Sequence, residues 1–247
     1  MTDPITMTDP LTSPTSFDAD STAEDVTAGL DLSGKTILLT GCNSGIGEET
    51  LRVLGLRGAE VIGLARTIDK AQTALDAHGV MGTAVACDLS EPGSVRVAVE
   101  TVRSLGRKLA GIIANAGIMA LPEPRTTLGL DLQFLTNHIG HFILVNGLAD
   151  LLTDDGRVVV VSSGAHFMAP EPGIEFDNLS GQRDYQVWRT YGQSKLANLL
   201  MAKSLARTVG PVYRPVPRCC PPDRASTQAS MPTGPAGRVA SARGWSS

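Results

Sequence analysis

Short apolar runs alternate with helix-patterned segments between residues 35 and 208, and this alternation limits the folds that the chain can adopt. Five runs have the length and apolar content of buried strands, at 35–40, 60–65, 83–87, 111–114 and 157–161. Segments with helical spacing separate or follow them, at 48–56, 67–78, 91–105, 130–152 and 188–208. Apolar strands that alternate with helices form a parallel sheet covered on both faces. We therefore predict an α/β fold with a doubly wound parallel sheet in a single domain.

The composition of the 247-residue chain fits a globular domain that acts on small molecules. Hydrophobic residues make up 42%, charged residues 19% and aromatic residues 4%, and the net charge is −4. This balance argues against a nucleic-acid partner. No apolar run approaches the ~18 residues that span a bilayer, and the four cysteines lack the paired spacing of a disulfide framework or a metal site. We expect a cytoplasmic protein with no transmembrane segment and no metal.

The first 28 residues differ in composition from the rest of the chain. They are rich in Asp, Thr, Ser and Pro, and MTDPIT is followed at once by MTDPLT. A segment of this kind buries too little apolar surface to offset the conformational entropy lost on folding. We predict a disordered leader over 1–28 and a folded domain over 29–210. Within that domain, Ser90 is predicted to cap the helix at 91–105.

A glycine-rich segment, TGCNSGIG, follows the first predicted strand and precedes a helix. Glycine lets the backbone approach a pyrophosphate closely, and the free N–H groups at a helix start attract phosphate. Turns without a ligand also collect glycine, so a purely structural turn is the alternative. The segment predicts a dinucleotide site that includes Gly41, Asn43, Ser44, Gly45, Ile46 and Gly47.

The end of the second predicted strand indicates which dinucleotide is preferred. NAD-binding domains of this architecture commonly place an Asp or Glu about 20 residues past the glycines, on the ribose hydroxyls. Here the chain reads Leu64-Ala65-Arg66, with an arginine and no carboxylate. A guanidinium can pair with a 2′-phosphate, whereas the alternative is a solvated surface arginine. Arg66 predicts a preference for NADP(H), with NAD(H) as the other candidate cofactor.

Tyr191 and Lys195 lie four residues apart in the last predicted helix. Positions i and i+4 share a helix face, so the ammonium can lie beside the phenol. A nearby positive charge favours phenolate, and we expect the pKa of Tyr191 to fall from its ordinary value towards neutrality. Such a tyrosine can act as a general acid and base. The spacing also arises by chance, so the pair alone assigns no function.

Four motifs occur in order along the chain. They are TGxxxGIG after the first strand, Asn115-Ala116-Gly117 after the fourth, Ser162-Ser163 after the fifth, and YxxxK on the last helix. Together they resemble the single-domain branch of the short-chain dehydrogenase/reductase superfamily, which has a Rossmann-like fold. LTNHIGHF at 135–142 and VSSGAH at 161–166 are further similar to the retinol-dehydrogenase and WW-domain-oxidoreductase-like subgroup. The resemblance extends from about residue 30 to residue 210.

The resemblance implies a role for each matching residue at the catalytic end. Tyr191 would exchange a proton with the substrate oxygen, and Lys195 would lower the pKa of Tyr191 and bind the nicotinamide ribose. Ser163 would hold the substrate oxygen. Asn137 would position a water that connects Lys195 to solvent, or would alternatively only brace a helix. Two further motif residues are expected to be structural, namely Ser162 and His138.

The same resemblance widens the cofactor site. Asn115, Ala116 and Gly117 would line the cleft, and Tyr191 and Lys195 would also touch the cofactor. In the turn after the third strand, the implied cofactor contacts are Asp88, towards the adenine, and the adjacent Leu89. Asp88 could instead serve only as a turn residue.

These inferences together describe an enzyme. We expect an NADP(H)-dependent alcohol dehydrogenase or carbonyl reductase that transfers a hydride between the nicotinamide cofactor and an alcohol or carbonyl group of a hydrophobic small molecule. The cofactor supplies the hydride, and the protein supplies position and electrostatics.

The pattern stops after Gly210. Residues 211–247 are rich in Pro, Arg, Ala and Ser, contain no Leu, Ile or Phe, and show no strand or helix period. A frameshift near 211–214 is one hypothesis for this aberrant tail, and a natural disordered tail is the other. On either hypothesis the domain is incomplete at its C-terminus. A catalytically impaired nucleotide-binding remnant is therefore the alternative function, and a homo-oligomer is expected only if the fold is complete.

Overall fold

A computed structural model of the chain describes residues 17–18 and 20–208. These residues all belong to the first of two compact units, Met1–Val216, whereas the second unit, Pro217–Ser247, lies outside them. The first 16 residues of the predicted leader also lie outside the described residues. So does the tail at 211–247, for which a frameshift was one hypothesis.

Strands and helices alternate through the first half of the domain. In chain order the elements are α1 (Ala23–Val26), β1 (Thr36–Thr40), α2 (Gly45–Leu56), β2 (Glu60–Ala65), α3 (Ile68–Ala77), β3 (Gly82–Ala86), α4 (Pro92–Ser104) and β4 (Leu109–Ala114).

The second half is less regular. It contains β5 (Thr126–Thr127), β6 (Leu130–Asp131), α5 (Leu132–Phe134), a π-turn at Leu135–Ile139, α6 (Gly140–Leu148), a 3-10 turn at Ala149–Leu151, β7 (Leu152–Val160), further 3-10 turns at Gly164–Met168 and Phe176–Asn178, and α7 (Val187–Thr208).

The main sheet has the order β3-β2-β1-β4-β7, and all of its described neighbours are parallel. β5 and β6 form a separate antiparallel hairpin. The chain moves outward from β1 to β3 and then returns to the other side of β1 at β4, so strand order reverses between β1 and β4. Ligands of open α/β sheets bind at such a reversal, beyond the carboxyl ends of the strands. The predicted doubly wound sheet is confirmed.

Apolar side chains cover both faces of the sheet. Leu38 and Leu39, which are adjacent in β1, are fully buried in two different clusters, because successive strand residues point to opposite faces. The Leu38 cluster includes side chains of α4, α6 and α7, and the Leu39 cluster includes side chains of α2 and α3. Each of these leucines contributes about 2 kcal/mol through burial. This two-sided core holds the carboxyl ends of the strands at one edge.

The predicted boundaries differ from the structure most in the second half of the domain. The helix predicted at 130–152 is interrupted by the π-turn, and β7 begins at Leu152 rather than at residue 157. Ser90 does not cap α4, because Glu91 occupies the N-cap position and Pro92 takes the first helical position. Ser90 instead donates to the carboxylate of Asp88, through both its backbone N–H and its hydroxyl.

The end of the predicted disordered leader is folded, which corrects that prediction for residues 20–28. Thr22 and Asp25 form a capping box that starts α1. Arg52 of α2 donates to the Glu24 carboxylate at 2.6 Å, and Arg57 donates to the Thr27 hydroxyl at 3.0 Å. These hydrogen bonds to α2 and its C-cap hold α1 in place, and the composition of the leader could not predict them.

Candidate active site

The glycine-rich segment forms the turn between β1 and α2. Gly45 adopts a φ of +55°, and a Cβ added there would meet nothing within 4 Å, so the space outside the turn is open. A Cβ added at Gly47 would lie 1.9 Å from the Gly41 carbonyl oxygen, so only glycine fits. Ser44, the N-cap of α2, makes no side-chain capping bond. The turn therefore leaves the positive end of α2 without a side-chain cap, and an anion is stabilised at such a position.

Thr40 joins this turn to the loop after β4. Its hydroxyl oxygen accepts from the backbone N–H groups of Asn115 at 2.9 Å and Ala116 at 3.0 Å. The Asn115 side-chain amide donates in return to the Thr40 carbonyl at 3.0 Å. The predicted site residues of β1 and β4 are thus brought together. The role of Thr40 was missed from the sequence, although it is the first residue of the TGxxxGIG motif.

The other predicted cofactor residues lie at the ends of β2 and β3. Arg66 follows β2 directly, is exposed, and forms no ion pair with another described residue. Asp88 accepts from Ser90 and so holds a local turn, while its contact with adenine stays a prediction. Leu89 is buried, and its backbone packs against Gly140, where an added Cβ would lie 2.4 Å from the Leu89 carbonyl oxygen. Helix α6 therefore rests directly on the turn after β3.

Tyr191, Lys195 and Ser163 come together where β7 ends and α7 passes. Tyr191 and Lys195 are 7% and 4% exposed, and the Lys195 Nζ lies 5.7 Å from the centre of the Tyr191 ring. The Tyr191 hydroxyl is hydrogen-bonded to Ser163. The Ser163 hydroxyl also accepts from the Ala165 N–H at 3.2 Å. A buried phenol and ammonium with a partly buried hydroxyl between strand and helix can exchange a proton with a bound oxygen and hold that oxygen in place.

Burial sets the pKa values of this group. It raises the pKa of the Tyr191 phenol, and the hydrogen bond from Ser163 offsets this only in part. The predicted lowering of the Tyr191 pKa by Lys195 is therefore wrong for this arrangement, since desolvation exceeds the favourable effects on the phenolate. Burial also lowers the pKa of Lys195 to about 8. The ammonium stays charged near neutral pH but loses its proton more readily than an exposed lysine.

A carbonyl oxygen at the end of β7 anchors Lys195. The Lys195 Nζ and the Asn198 side-chain amide both donate to the Val161 carbonyl oxygen at 3.2 Å. Ser162 donates to the Lys195 carbonyl oxygen at 2.8 Å, and His138 lies 3.3 Å from the Asn198 amide oxygen. These contacts fit the structural roles expected for Ser162 and His138.

Asn137 lies in the π-turn, where the Gly140 N–H reaches back to the Leu135 carbonyl. Its side chain is fully buried and bonds the backbone of Ile118 in both directions, at 2.8 and 2.9 Å. It also donates to the Ser194 hydroxyl at 3.0 Å, and Ser194 donates to the Tyr191 carbonyl at 2.7 Å. Both side-chain N–H groups of Asn137 are thus used by protein atoms, and the predicted water contact stays a prediction.

At Gly117 the backbone lies close to the side chains of Asn137 and Lys195. A Cβ added there would lie 3.1 Å from the Asn137 amide oxygen and 3.4 Å from the Lys195 Nζ. Both side chains therefore line the space beside this glycine. All of the residues predicted to be catalytic, Asn137, Ser163, Tyr191 and Lys195, lie beyond the carboxyl ends of β4 and β7. Ser194 was missed because serine within YxxxK carries no signal of its own.

Exposed apolar side chains follow two of the motifs. Met119 comes two residues after Gly117, and Phe167 and Met168 lie on the 3-10 turn after Ser163; they are 60%, 66% and 51% exposed. This turn packs closely on α7, because a Cβ added at Gly192, next to Tyr191, would lie 2.4 Å from the Ala165 carbonyl oxygen. The packing holds the backbone of this 3-10 turn against α7 at Gly192.

Other parts of the described chain hold no comparable site. Within residues 17–18 and 20–208, no three His, Cys, Asp or Glu side chains are grouped to hold a metal ion. No helix in the same residues is long and apolar enough to cross a membrane. Cys42 and Cys87 are free and buried. A cavity of about 500 Å³ lies at the amino ends of the strands, where Arg107 is paired with Glu60, away from Tyr191.

Comparison with known proteins identifies the family. A family model described as short chain dehydrogenase matches residues 35–233. The chain belongs to this family. The matched region extends past Gly210, so the predicted domain end at that residue stays a prediction.

The short-chain dehydrogenase has relatives in the predicted subgroup. It is 41% identical over 199 residues to short-chain dehydrogenase TIC 32 B, chloroplastic, of Brassica napus, covering 76% of this chain and 62% of that protein. It is 38% identical to mouse retinol dehydrogenase 12, covering 73% and 58%, and 35% identical to human WW domain-containing oxidoreductase, covering 84% and 54%. The chain thus spans between about half and three fifths of the length of these curated relatives.

Solved structures agree with the fold. An uncharacterized protein from Mycobacterium Paratuberculosis shares 38% identity and a TM-score of 0.66, covering 73% of this chain and 64% of that chain. The angucycline C-6 ketoreductase LanV with bound NADP shares 30% identity and a TM-score of 0.57, covering 73% and 69%.

Proposed function

We propose that this short-chain dehydrogenase is an NADP(H)-dependent oxidoreductase that acts on an alcohol or carbonyl group of a hydrophobic small molecule. The observation that carries the proposal is the group of buried Tyr191 and Lys195 with partly buried Ser163, beyond the carboxyl end of β7. A general acid next to a dinucleotide site is the arrangement that reduction of a carbonyl requires.

The residues at the turn fit a dinucleotide diphosphate. The open space at Gly45 and the uncapped start of α2 leave room for an anion at the helix N-terminus, and the close approach at Gly47 shapes the turn. Arg66, exposed and without an ion-pair partner among the described residues, would hold the 2′-phosphate of NADP(H). The structure of LanV with bound NADP supports this choice of cofactor. The remainder of the cofactor site would be lined by Asn115, Ala116, Gly117, Asp88 and Leu89.

The protein's own groups move and hold the proton. The bound nicotinamide ring supplies or accepts the hydride. In the reductive direction, Tyr191 would give its phenolic proton to the substrate oxygen, which Ser163 would bind. Its raised pKa keeps Tyr191 protonated before reaction. Lys195 would stabilise the phenolate that remains, because its ammonium lies over the ring in a buried site where charge interactions are strong.

The proposed substrate class depends on exposed apolar side chains that follow two of the motifs in the sequence. Met119, Phe167 and Met168 expose apolar surface, and such surface close to the reacting groups would favour a hydrophobic ligand. The relative named retinol dehydrogenase 12 supports the same class.

Replacement of Tyr191 tests the proposal. Tyr191→Phe removes the proton donor and should lower turnover by about 100-fold or more, while the affinity for NADPH changes little. Tyr185→Phe is the matched control, because the Tyr185 hydroxyl bonds Leu121 at 2.6 Å outside the group, and it should keep turnover within the same order of magnitude. Undiminished turnover by Tyr191→Phe refutes the proposal. NADPH binding by the unaltered chain without turnover of any carbonyl compound supports the impaired remnant instead.

A further inference from the structure

The second histidine of the LTNHIGHF motif, His141, has no part in the proposed reaction. His141 is fully buried on α6. Its Nε2 lies 2.9 Å from the Thr40 hydroxyl oxygen, and its Nδ1 lies 2.9 Å from the Asn137 carbonyl oxygen. One ring therefore touches the first residue of the glycine-rich turn and a residue of the proposed catalytic group.

The partners of His141 permit one arrangement of hydrogens. The Asn137 carbonyl can only accept, so Nδ1 carries a hydrogen. The Thr40 oxygen already accepts two backbone N–H groups, which occupies both of its lone pairs. Its own hydrogen is therefore free to donate, and Nε2 at 2.9 Å is a nearer acceptor than the Ile113 carbonyl at 3.4 Å.

The surroundings of the ring favour the same neutral form. Burial lowers the pKa of His141 to about 4, although the hydrogen bond to the Asn137 carbonyl acts to raise it; Lys195 and His138 add smaller effects in the direction of burial. A second hydrogen, on Nε2, would also point at a hydroxyl oxygen without a free lone pair. A positively charged ring is thus disfavoured by both geometry and solvation.

We propose that His141 is a positioning residue, the neutral Nδ1–H tautomer of which joins the cofactor turn to the helix that carries Asn137. The hydrogen bonds run from the backbone of Asn115 and Ala116 through Thr40 and His141 to Asn137. From Asn137 they continue through Ser194 to the Tyr191 carbonyl. The chain of bonds fixes the proton donor relative to the strand ends that would hold the cofactor. This inference rests on the proposed function.

Nuclear magnetic resonance of the full-length ¹⁵N-labelled chain tests the tautomer without any substrate. The imidazole signals that disappear in His141→Phe belong to His141. We expect them to show hydrogen on Nδ1 alone from pH 8 to pH 6. Hydrogen on Nε2 alone, or on both nitrogens at pH 6, overturns the proposal. The matched control His78→Phe alters a ring that bonds Glu48 on the other side of the sheet and should leave these signals in place.

Amide exchange and kinetics test the positioning role. In His141→Phe, the Asn115 and Ala116 amides should exchange about fivefold faster or more, because the Thr40 hydroxyl loses the partner that orients it. With a carbonyl substrate, kcat should fall about tenfold or more through misplacement of the donor, with a smaller change in KM for NADPH. A folded variant with unchanged exchange and unchanged kcat overturns the proposal. Absent turnover in the unaltered chain refutes the proposed function, and the exchange and tautomer results then decide the role of His141 on their own.

Discussion

The Lys195 ammonium lies 5.7 Å from the centre of the Tyr191 ring, and both side chains are almost completely buried. Burial of Lys195 destabilises the fold, because desolvation of the ammonium lowers its pKa to about 8. A shift of this size from 10.5 corresponds to about 3 kcal/mol at neutral pH. The side chain is therefore retained at a cost in stability, which is typical of functional sites.

Replacement of Lys195 by methionine should separate stability from activity. Lys195→Met removes the buried charge, and Asn198 still donates to the Val161 carbonyl, so the free energy of unfolding should rise by about 1–3 kcal/mol. Turnover should fall by about 100-fold or more. Denaturant unfolding and steady-state kinetics measure the two effects. Lys203→Met, at an exposed position of the same helix, should change stability by less than about 0.5 kcal/mol. A destabilised but active Lys195→Met would contradict this prediction.

Replacement of Arg66 should change the cofactor preference. Arg66→Ala removes an exposed guanidinium at the end of β2 and should raise the Kd for NADPH about 10- to 100-fold, the contribution of a charge-assisted bond. The Kd for NADH, which has no 2′-phosphate, should stay the same. Fluorescence titration with both cofactors gives the ratio. Arg96→Ala, at an exposed position on α4, is the control. Equal losses for both cofactors would show that Arg66 does not select the phosphate.

Alanine should be harmful at Gly47 and stabilising at Gly93. A Cβ at Gly47 would lie 1.9 Å from a backbone oxygen, so Gly47→Ala must displace the turn and should weaken NADPH binding about tenfold or more. Gly93 lies in the first turn of α4, and a Cβ there would meet nothing within 4 Å. Gly93→Ala should raise the free energy of unfolding by about 0.5–1 kcal/mol. Calorimetry and cofactor titration check both, and tight NADPH binding by Gly47→Ala would refute the close approach.

The stability of the protein should fall in acid partly because of His141. Its folded-state pKa of about 4 lies below the ordinary value of 6.5, so the unfolded chain binds a proton between these values that the folded chain does not. Stability contributed by the neutral ring is present above pH 6.5 and is lost as the pH falls towards 4, by about 3 kcal/mol in all.

The difference between the unaltered chain and His141→Phe isolates this contribution, because the other titrating groups occur in both proteins. Urea unfolding at several pH values should give a difference in free energy that shrinks as the pH falls from 6.5 to 4. A difference that stays constant across this range would show that His141 takes up a proton in the folded state as readily as in the unfolded chain.

Sequence patterns alone predict the fold class, which the structure confirms, and they name the members of the candidate site. Local patterns suffice for this, since apolar runs, helical spacing and glycines each report on their own few residues. The strands at 60–65 and the end of β1 at Thr40 were placed correctly, and the ordered motifs named the family. Asn115 and Ser163 were predicted at one edge because carboxyl ends of parallel strands share an edge. Tyr191 and Lys195, which lie on a helix, were joined to them by the resemblance.

The electrostatics and the connections among these residues depend on the tertiary structure. The pKa of Tyr191 is raised because burial outweighs its neighbours, and burial depends on everything packed around the ring. The links through Thr40, His141 and Ser194 join residues up to 101 positions apart, and no local pattern encodes such pairing. The docking of α1 onto α2 likewise depends on arginines far along the chain. Composition and spacing fix which elements form, whereas contacts between distant residues fix the charge state and orientation of the groups that would perform the chemistry.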